Sequence, residues 1–299
     1  MRPFDFYAPT TVVEALEMLD RYKDSVAMIA GGTDLTLELN EWKYQPAVVI
    51  DLKKLKELDY IRVEDGVVHI GALTTHAEIA ANKTIQEKVH VLYDACRQVG
   101  SPQIRNLATI GGNICQSSVA GDGLAACVCL DADVTIKSVR GERTIKLDEF
   151  LAGEGKERRN ILQADELMTE VSFPLPDTTH TATSFYKLGR RRALAISVIG
   201  GSMVVSVDDD GVCTYARMRA GALGRYPMPF PTCEQTWWER SSPTPPCWRP
   251  FPSCTIRSWR PTSPVPGLCS IRRRAFRAST STCLRTFCAS SAWRRCRNE

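Results

Sequence analysis

Two short glycine-rich segments contain the residues best suited to bind a small anionic ligand. The first consists of Ala30, Gly31, Gly32, Thr33 and Asp34, and the second of Thr109, Ile110, Gly111, Gly112 and Asn113. Glycine admits positive φ angles and lets another group approach the backbone closely. Successive N–H groups in such turns form a concave site for an anion. Two turns of this kind suit a diphosphate held from both sides, although the first segment taken alone is also compatible with a plain strand-to-helix turn.

Other well-known site patterns are absent from the sequence. Neither glycine pair has the spacing G-x-G-x-x-G or G-x-x-x-x-G-K-[ST], so neither a Rossmann site nor a P-loop is indicated. The four histidines show no metal-ligand spacing, and Cys127 and Cys129 do not make a four-ligand site, so core positions are the better interpretation. We therefore expect no metal site on this chain.

The segments that must position these turns alternate between helix and strand. Val26–Ala30 is an apolar run that predicts a buried strand before the first turn, and residues 35–39 predict a helical turn after it. Thr11 and Thr75 each open a capping-box pattern that predicts the start of a helix. Further strands are predicted at 47–52, 58–63, 67–70, 134–139, 143–147, 167–173, 184–188, 196–207 and 211–219. The mixture predicts an α+β protein.

Composition predicts a globular protein. The chain has 299 residues, a net charge of +4 and 43% hydrophobic residues, which excludes collagen-like and fully disordered classes. It has no apolar run near the roughly 20 residues that a membrane helix needs. The first residues show no apolar signal segment. These features predict a cytoplasmic protein without a membrane segment.

The composition changes abruptly near residue 225. Residues 225–299 contain 13 Arg, 7 Cys, 11 Pro and 5 Trp, but no Lys, no Asp and only 2 Leu. Eleven prolines interrupt helices and strands alike, and so few aliphatic residues cannot build a helical core. Three interpretations stay open: a frameshifted translation, a disordered extension, or a basic arm whose Arg and Trp residues bind nucleic acid. The first is favoured, because losing every Lys and Asp is a change of codons and has no physical rationale.

Together, the AGGTD and QIRN-x-x-TIGGN sequences resemble the flavoprotein subunit of the molybdenum hydroxylases, the xanthine dehydrogenase family. The resemblance covers about residues 2–228, and the segments Ser101–Asn106 and Ser117–Gly123 resemble xanthine or nicotinate dehydrogenase subunits of anaerobic bacteria. It implies the vanillyl-alcohol-oxidase (PCMH-type) FAD-binding fold of two α/β subdomains. The implied domains are an FAD-binding domain at 1–176, with subdomains of about 1–55 and 56–176, an incomplete β-led carboxy-terminal domain at 184–228, and an aberrant, disordered tail at 229–299.

The resemblance also implies cofactor-binding roles for particular residues. The segment expected to wrap the FAD diphosphate and ribityl chain consists of Ile29, Ala30, Gly31, Gly32, Thr33, Asp34, Leu35 and Thr36. Residues Thr109 to Asn113 are expected to supply a second set of contacts. Asp122 matches an acid that binds the cofactor, and Lys187 matches a lysine near the flavin. Val99 and Met168 match apolar positions that line the cofactor. Each of these four also has a purely structural interpretation, as a turn cap or a core residue.

The function implied is electron transfer within a multi-subunit enzyme, in which this chain is expected to carry no catalytic nucleophile or acid–base pair. A molybdenum-cofactor subunit hydroxylates an N-heterocycle, a second partner carries iron–sulfur clusters, and electrons pass through FAD to NAD or another acceptor. Two alternatives remain: a stand-alone FAD oxidoreductase of the same fold, and a nucleic-acid-binding protein with a basic carboxy-terminal arm. The resemblance favours the electron-transfer subunit, for which no nucleic acid and no membrane partner are expected.

Overall fold

The computed structural model describes residues 2–153, 160–191 and 193–229. The predicted tail at 229–299 therefore lies outside the described residues except for Pro229. Among the helices of the described residues, none is both long enough and apolar enough to cross a bilayer.

The described residues form short helices and twelve strands. The helices are α1 (Val12–Tyr22), α2 (Leu35–Asn40), α3 (His76–Ala81), α4 (Lys83–Lys88), α5 (His90–Arg97), α6 (Pro102–Arg105), α7 (Ile110–Gln116), α8 (Asp122–Cys129) and α9 (Leu147–Phe150). The strands are β1 (Asp5–Tyr7), β2 (Val26–Ile29), β3 (Val48–Asp51), β4 (Ile61–Glu64), β5 (Val67–Gly71), β6 (Asp133–Ser138), β7 (Gly141–Lys146), β8 (Leu167–Pro174), β9 (Thr181–Gly189), β10 (Ser197–Val207), β11 (Cys213–Gly221) and β12 (Met228–Pro229).

Two compact units, neither of them continuous in sequence, divide the chain. Unit 1 comprises the described parts of Met1–Ile79, Ser101–Ser117 and Asp131–Pro174, and unit 2 those of Ala80–Gly100, Ser118–Leu130 and Leu175–Glu299. These units are defined by which residues pack together, whereas the domains at 1–176 and 184–228 were predicted from the sequence. The division into those two domains stays a prediction.

Unit 1 contains two sheets. One is parallel, with the order β1-β3-β2, and the other is antiparallel, with the order β4-β5-β8-β6-β7. Helix α1 starts where Thr11 accepts the Glu14 amide, as its capping box predicts, and buries Ala15, Leu16 and Leu19. These side chains pack with Ile50 of β3 in the core, because a 3.6-residue period places them on one face of the helix.

Unit 2 contains the antiparallel sheet β12-β11-β10-β9. Helix α5 packs on β9, and α8 packs on β10 and β11. Every residue of α8 is buried. The side chain of Thr183 on β9 accepts a hydrogen bond from the amide of Val91 near the start of α5, which fixes that helix on the sheet.

The predicted α+β class is confirmed, as are the hairpins at 61–71 and 133–146 and the meander that begins near 184. The first hairpin strand begins at Ile61 instead of residue 58, because Lys56–Leu58 forms a turn of 3₁₀ helix.

Candidate functional site

The first glycine-rich turn joins β2 to α2 in unit 1. Gly32 has a φ of +71°, a conformation that L side chains rarely adopt. The next amides along α2 are engaged, since Thr36 donates to the Gly32 carbonyl and Leu37 to that of Asp34. Within the described residues, by contrast, no protein group accepts a hydrogen bond from the backbone N–H groups of residues 31–35. Unengaged N–H groups in a glycine-rich turn are able to donate to the oxygens of an anion such as a phosphate.

Gly31 brings this turn into contact with the loop that precedes the second turn. A Cβ atom at residue 31 would overlap the carbonyl of Leu107 and lie 2.9 Å from the Cα of Ala108. Both neighbours are backbone atoms, which cannot rotate away as a side chain can. Only glycine therefore allows this close approach, and the approach brings the two predicted turns together.

The second turn is the start of α7, also in unit 1. Thr109 is the N-cap, and its hydroxyl accepts the Gly112 amide at 3.1 Å. The Gly111 amide donates to the Ala72 carbonyl, and the Ile110 amide donates to Thr74. The amides of residues 110–113 thus all have acceptors inside unit 1, unlike those of the first turn.

Gly111 of the second turn packs closely against the backbone of Ala72. A Cβ atom on Gly111 would lie 2.6 Å from the Ala72 carbonyl oxygen. Gly112 is exposed, and Asn113 beside it is half-buried. The first turn thus packs against the residues just before the second turn, and the second turn has an exposed glycine. The expected meeting of the two turns is present, while their contact with a cofactor stays a prediction.

The Asp34 side chain next to the first turn has an altered pKa. Burial raises the pKa of Asp34, and the nearby Glu38 carboxylate raises it further. Both effects disfavour the charged form of the carboxyl. Glu38 also accepts a hydrogen bond of 3.4 Å from the Gln116 side chain at the end of α7, so it connects the helices that follow the two turns.

The predicted cofactor-binding residues Asp122 and Lys187 lie in unit 2 and form a buried polar network. The Lys187 ammonium lies 2.6 Å from Asp122 and 3.0 Å from the carbonyl oxygen of Gln98. Ser197 donates to the other oxygen of Asp122 at 2.5 Å. The side chains of Lys187 and Asp122 are only 8% and 5% exposed. Burial raises the pKa of Asp122, while the charge and hydrogen bonds of Lys187 and the hydroxyl of Ser197 oppose that rise.

The two predicted apolar contacts lie in different units. Val99 follows α5 in unit 2, next to Gln98, and its amide donates to the Cys96 carbonyl. Met168 lies on β8 in unit 1 and is 2% exposed, with its sulfur 3.9 Å from that of Cys115 on α7. The structure thus places Val99 beside the Lys187 network and Met168 against the helix of the second turn. Their cofactor contact stays a prediction.

The cysteines of α8 are core residues, as expected from the sequence. Cys127 and Cys129 are both buried. Burial raises the pKa of the Cys127 thiol to about 12, which keeps it neutral, whereas metal binding needs the thiolate. Among the described residues, no three His, Cys, Asp or Glu side chains come together as a metal site.

Three contributions are not evident from the sequence. The side chain of Ser197 and the carbonyl of Gln98 complete the Lys187 network, and the Leu107–Ala108 backbone receives the first turn. Backbone atoms leave no trace in residue type, and Ser197 lies 75 positions from its partner Asp122. For the Leu107–Ala108 backbone, the sequence offers one indication: these two residues are the spacer between the QIRN and TIGGN sequences.

Comparison with known proteins agrees with this geometry. Residues 2–176 match the family model described as the FAD binding domain in molybdopterin dehydrogenase. The chain is 57% identical to the nicotinate dehydrogenase FAD-subunit of Eubacterium barkeri over 236 residues, covering 79% of each chain. It is 30% identical to the xanthine dehydrogenase FAD-binding subunit of Escherichia coli O157:H7, covering 78% of this chain and 80% of the relative.

The fold also matches solved structures. A chain of the reconstituted CO dehydrogenase from Oligotropha carboxidovorans superposes with a TM-score of 0.85, covering 96% of this chain and 98% of that one, at 20% identity. A match at this low identity shows the fold alone. The superposition confirms the expected FAD-binding fold. With the family model matched across more than half of the sequence, the chain belongs to the FAD-binding subunits of the molybdopterin dehydrogenase, or xanthine dehydrogenase, family, which are FAD-dependent oxidoreductase components.

Proposed function

We propose that this chain is the FAD-carrying electron-transfer subunit of a molybdenum hydroxylase that acts on nicotinate or a closely related N-heterocycle. The observation that carries the proposal is the 57% identity to a nicotinate dehydrogenase FAD-subunit across 79% of both chains. That identity is well above the 30% shared with the xanthine dehydrogenase subunit. The molybdenum cofactor and the iron–sulfur clusters belong to partner subunits, and NAD or another acceptor takes the electrons.

The contribution of this chain is binding and electrostatics. Bound FAD supplies the chemistry that links one-electron donors to a two-electron acceptor. The amides of residues 31–35 bind diphosphate oxygens, and Thr109 to Asn113 approach the same group from the other turn. The ammonium of Lys187 favours added negative charge on a flavin beside it, because opposite charges attract strongly where water is excluded. Val99 and Met168 are apolar contacts of the cofactor.

The test is reconstitution with partner subunits. The purified chain should show flavin absorption bands but should not oxidise any heterocycle alone. Together with molybdenum and iron–sulfur subunits, its flavin should be bleached by nicotinate faster than by xanthine. Restoring the colour with NAD, NADP or an artificial dye then identifies the acceptor.

Each alternative predicts a different result. A stand-alone flavoenzyme should turn over a substrate without partners. A nucleic-acid-binding protein should lack flavin bands and should bind nucleic acid in a salt-dependent way that is lost when 229–299 is deleted.

A further inference from the structure

We propose that Ser197 is a positioning residue for the cofactor: through Asp122 it holds the Lys187 ammonium so that one N–H points to a hydrogen-bond acceptor of the flavin. The inference rests on the proposed function, and it concerns a residue that has no predicted cofactor contact of its own. All the protein groups in it belong to unit 2.

The hydrogen bonds of Lys187 carry the argument. An ammonium has three N–H donors. One is used by Asp122 at 2.6 Å and one by the Gln98 carbonyl at 3.0 Å. The third has no acceptor among the described residues. Because the Lys187 side chain is only 8% exposed, water has little access to this donor, and an unmatched buried donor is costly. A ligand atom that accepts this hydrogen removes the cost.

The position of the ammonium depends on Asp122, and the position of Asp122 depends on Ser197. Lysine has a long and flexible side chain with many rotamers. Asp122 is short, and its second oxygen is fixed by the Ser197 hydroxyl at 2.5 Å. Ser197 is 6% exposed and is the first residue of β10, so the sheet fixes its own position. A chain of charge-assisted hydrogen bonds therefore runs from a rigid strand to the lysine.

The experiment compares single variants of the full-length flavoprotein. Ser197→Ala should raise the FAD dissociation constant by about tenfold, since a hydrogen bond to a charged group is lost. It should also lower the reduction potential of the bound flavin, in the same direction as Lys187→Met and by a smaller amount. Ser197→Thr keeps the hydroxyl and should restore both values.

A matched control lies on the same strand. Ser202 is fully buried, and its hydroxyl has no hydrogen-bond partner in the described structure. Ser202→Ala therefore removes an equally buried hydroxyl without touching the network, and it should leave the FAD dissociation constant and the potential unchanged.

A double-mutant cycle separates positioning from direct contact. If Ser197 acts through the lysine, Ser197→Ala should have no further effect on FAD affinity in a Lys187→Met background. Lys187→Met leaves the buried Asp122 carboxylate uncompensated, which can prevent folding. If it does, the double variant Lys187→Met/Asp122→Asn replaces Lys187→Met in the cycle. A wild-type potential in Ser197→Ala, or an undiminished effect in the double variant, overturns the proposal. A wild-type chain that binds no FAD instead refutes the proposed function.

Discussion

A methyl group added at residue 31 is the smallest change that tests whether the two glycine-rich turns must touch. Gly31→Ala places a Cβ atom against the Leu107 carbonyl and the Ala108 Cα, so the backbone must move. Overpacking of this kind costs about 1–3 kcal/mol of unfolding free energy. It should also part the two turns and abolish retained FAD, which flavin absorbance of the purified protein measures directly.

Gly221→Ala is the control for this change. Gly221 is buried on β11, but a Cβ atom there meets its neighbours no closer than 3.6 Å, which is ordinary contact. This variant should keep its flavin. Equal flavin content in the two variants contradicts the placement of the diphosphate at the first turn.

The buried imidazole of His76 makes unit 1 sensitive to acid. Burial, with a smaller contribution from the charge of Arg105, lowers the pKa of His76 to about 4 from a usual value of 6.5. The folded state therefore binds the proton less tightly than the unfolded state, and stability falls as the pH drops from about 6.5 to 4. At pH 5 the loss from this one group is roughly 2 kcal/mol.

Urea unfolding at pH 7 and pH 5 measures this effect, with His76→Gln as the comparison. The variant should lose about 2 kcal/mol less than the wild type between the two pH values. Other titrating groups are common to both proteins and cancel in the difference. Equal losses in the two proteins would mean that folding does not lower the pKa of His76. Because the His76 amide donates to the Ala108 carbonyl, acid is also expected to loosen the second turn and release FAD.

At the level of elements, the capping box of α3 supports the second turn. Thr75 and Glu78 exchange hydrogen bonds, at 2.8 Å from the Thr75 amide and 3.2 Å from the Glu78 amide. Thr75 also forms a β-bridge with Thr109, the N-cap of α7. Thr75→Ala should lower the unfolding free energy by about 1 kcal/mol, and it should weaken FAD binding because the bridge is displaced.

Thr11→Ala is the control variant, because Thr11 caps α1 by accepting the Glu14 amide at 3.2 Å. Urea unfolding should show a similar loss of stability in this variant. Its FAD affinity should be unchanged. If both variants lose flavin equally, the effect of Thr75 is one of general stability.

The elements that the sequence predicts well are those whose apolar residues face one way. Helix α1 has a clear 3.6-residue period, and the hairpin strands are bounded by turn residues, so both were predictable. Helix α8 has no polar face, since all of its residues are buried, and its pattern is compatible with either a strand or a helix. The amphipathic helix α5 packs its buried face against β9 in unit 2. This contact joins segments far apart in sequence, so the sequence pattern did not predict it.

The same distinction applies to the candidate site. Glycine pairs are visible in sequence, and both turns were located from them. The reason for each glycine was not visible, because it depends on a carbonyl more than 30 positions away: Leu107 for Gly31 and Ala72 for Gly111. The hydrogen bonding of backbone amides is likewise a property of conformation. Within the described residues, the amides of 110–113 have acceptors whereas those of 31–35 have none.

At the scale of the whole molecule, the charge is divided unevenly along the chain. Residues 1–224 carry 25 basic and 31 acidic side chains, whereas 225–299 carry 13 basic and 3 acidic ones. The alignments to the two FAD subunits cover 79% and 78% of the chain, so about a fifth of it lies outside each alignment. We propose that a slip of the reading frame near residue 228 produces the change in charge.

The coding DNA tests this explanation directly. A frame change leaves the nucleotides intact, so one of the other two frames after codon 228 should encode a segment with Leu, Glu and Asp at helical and strand spacing. That segment should also align with the remaining part of the nicotinate dehydrogenase FAD-subunit. The restored chain, expressed beside the present one, should be more stable to urea, because a complete carboxy-terminal domain covers more apolar surface. If neither frame yields such a segment, the arginine-rich tail is a genuine part of the protein, and its binding to nucleic acid becomes the next measurement.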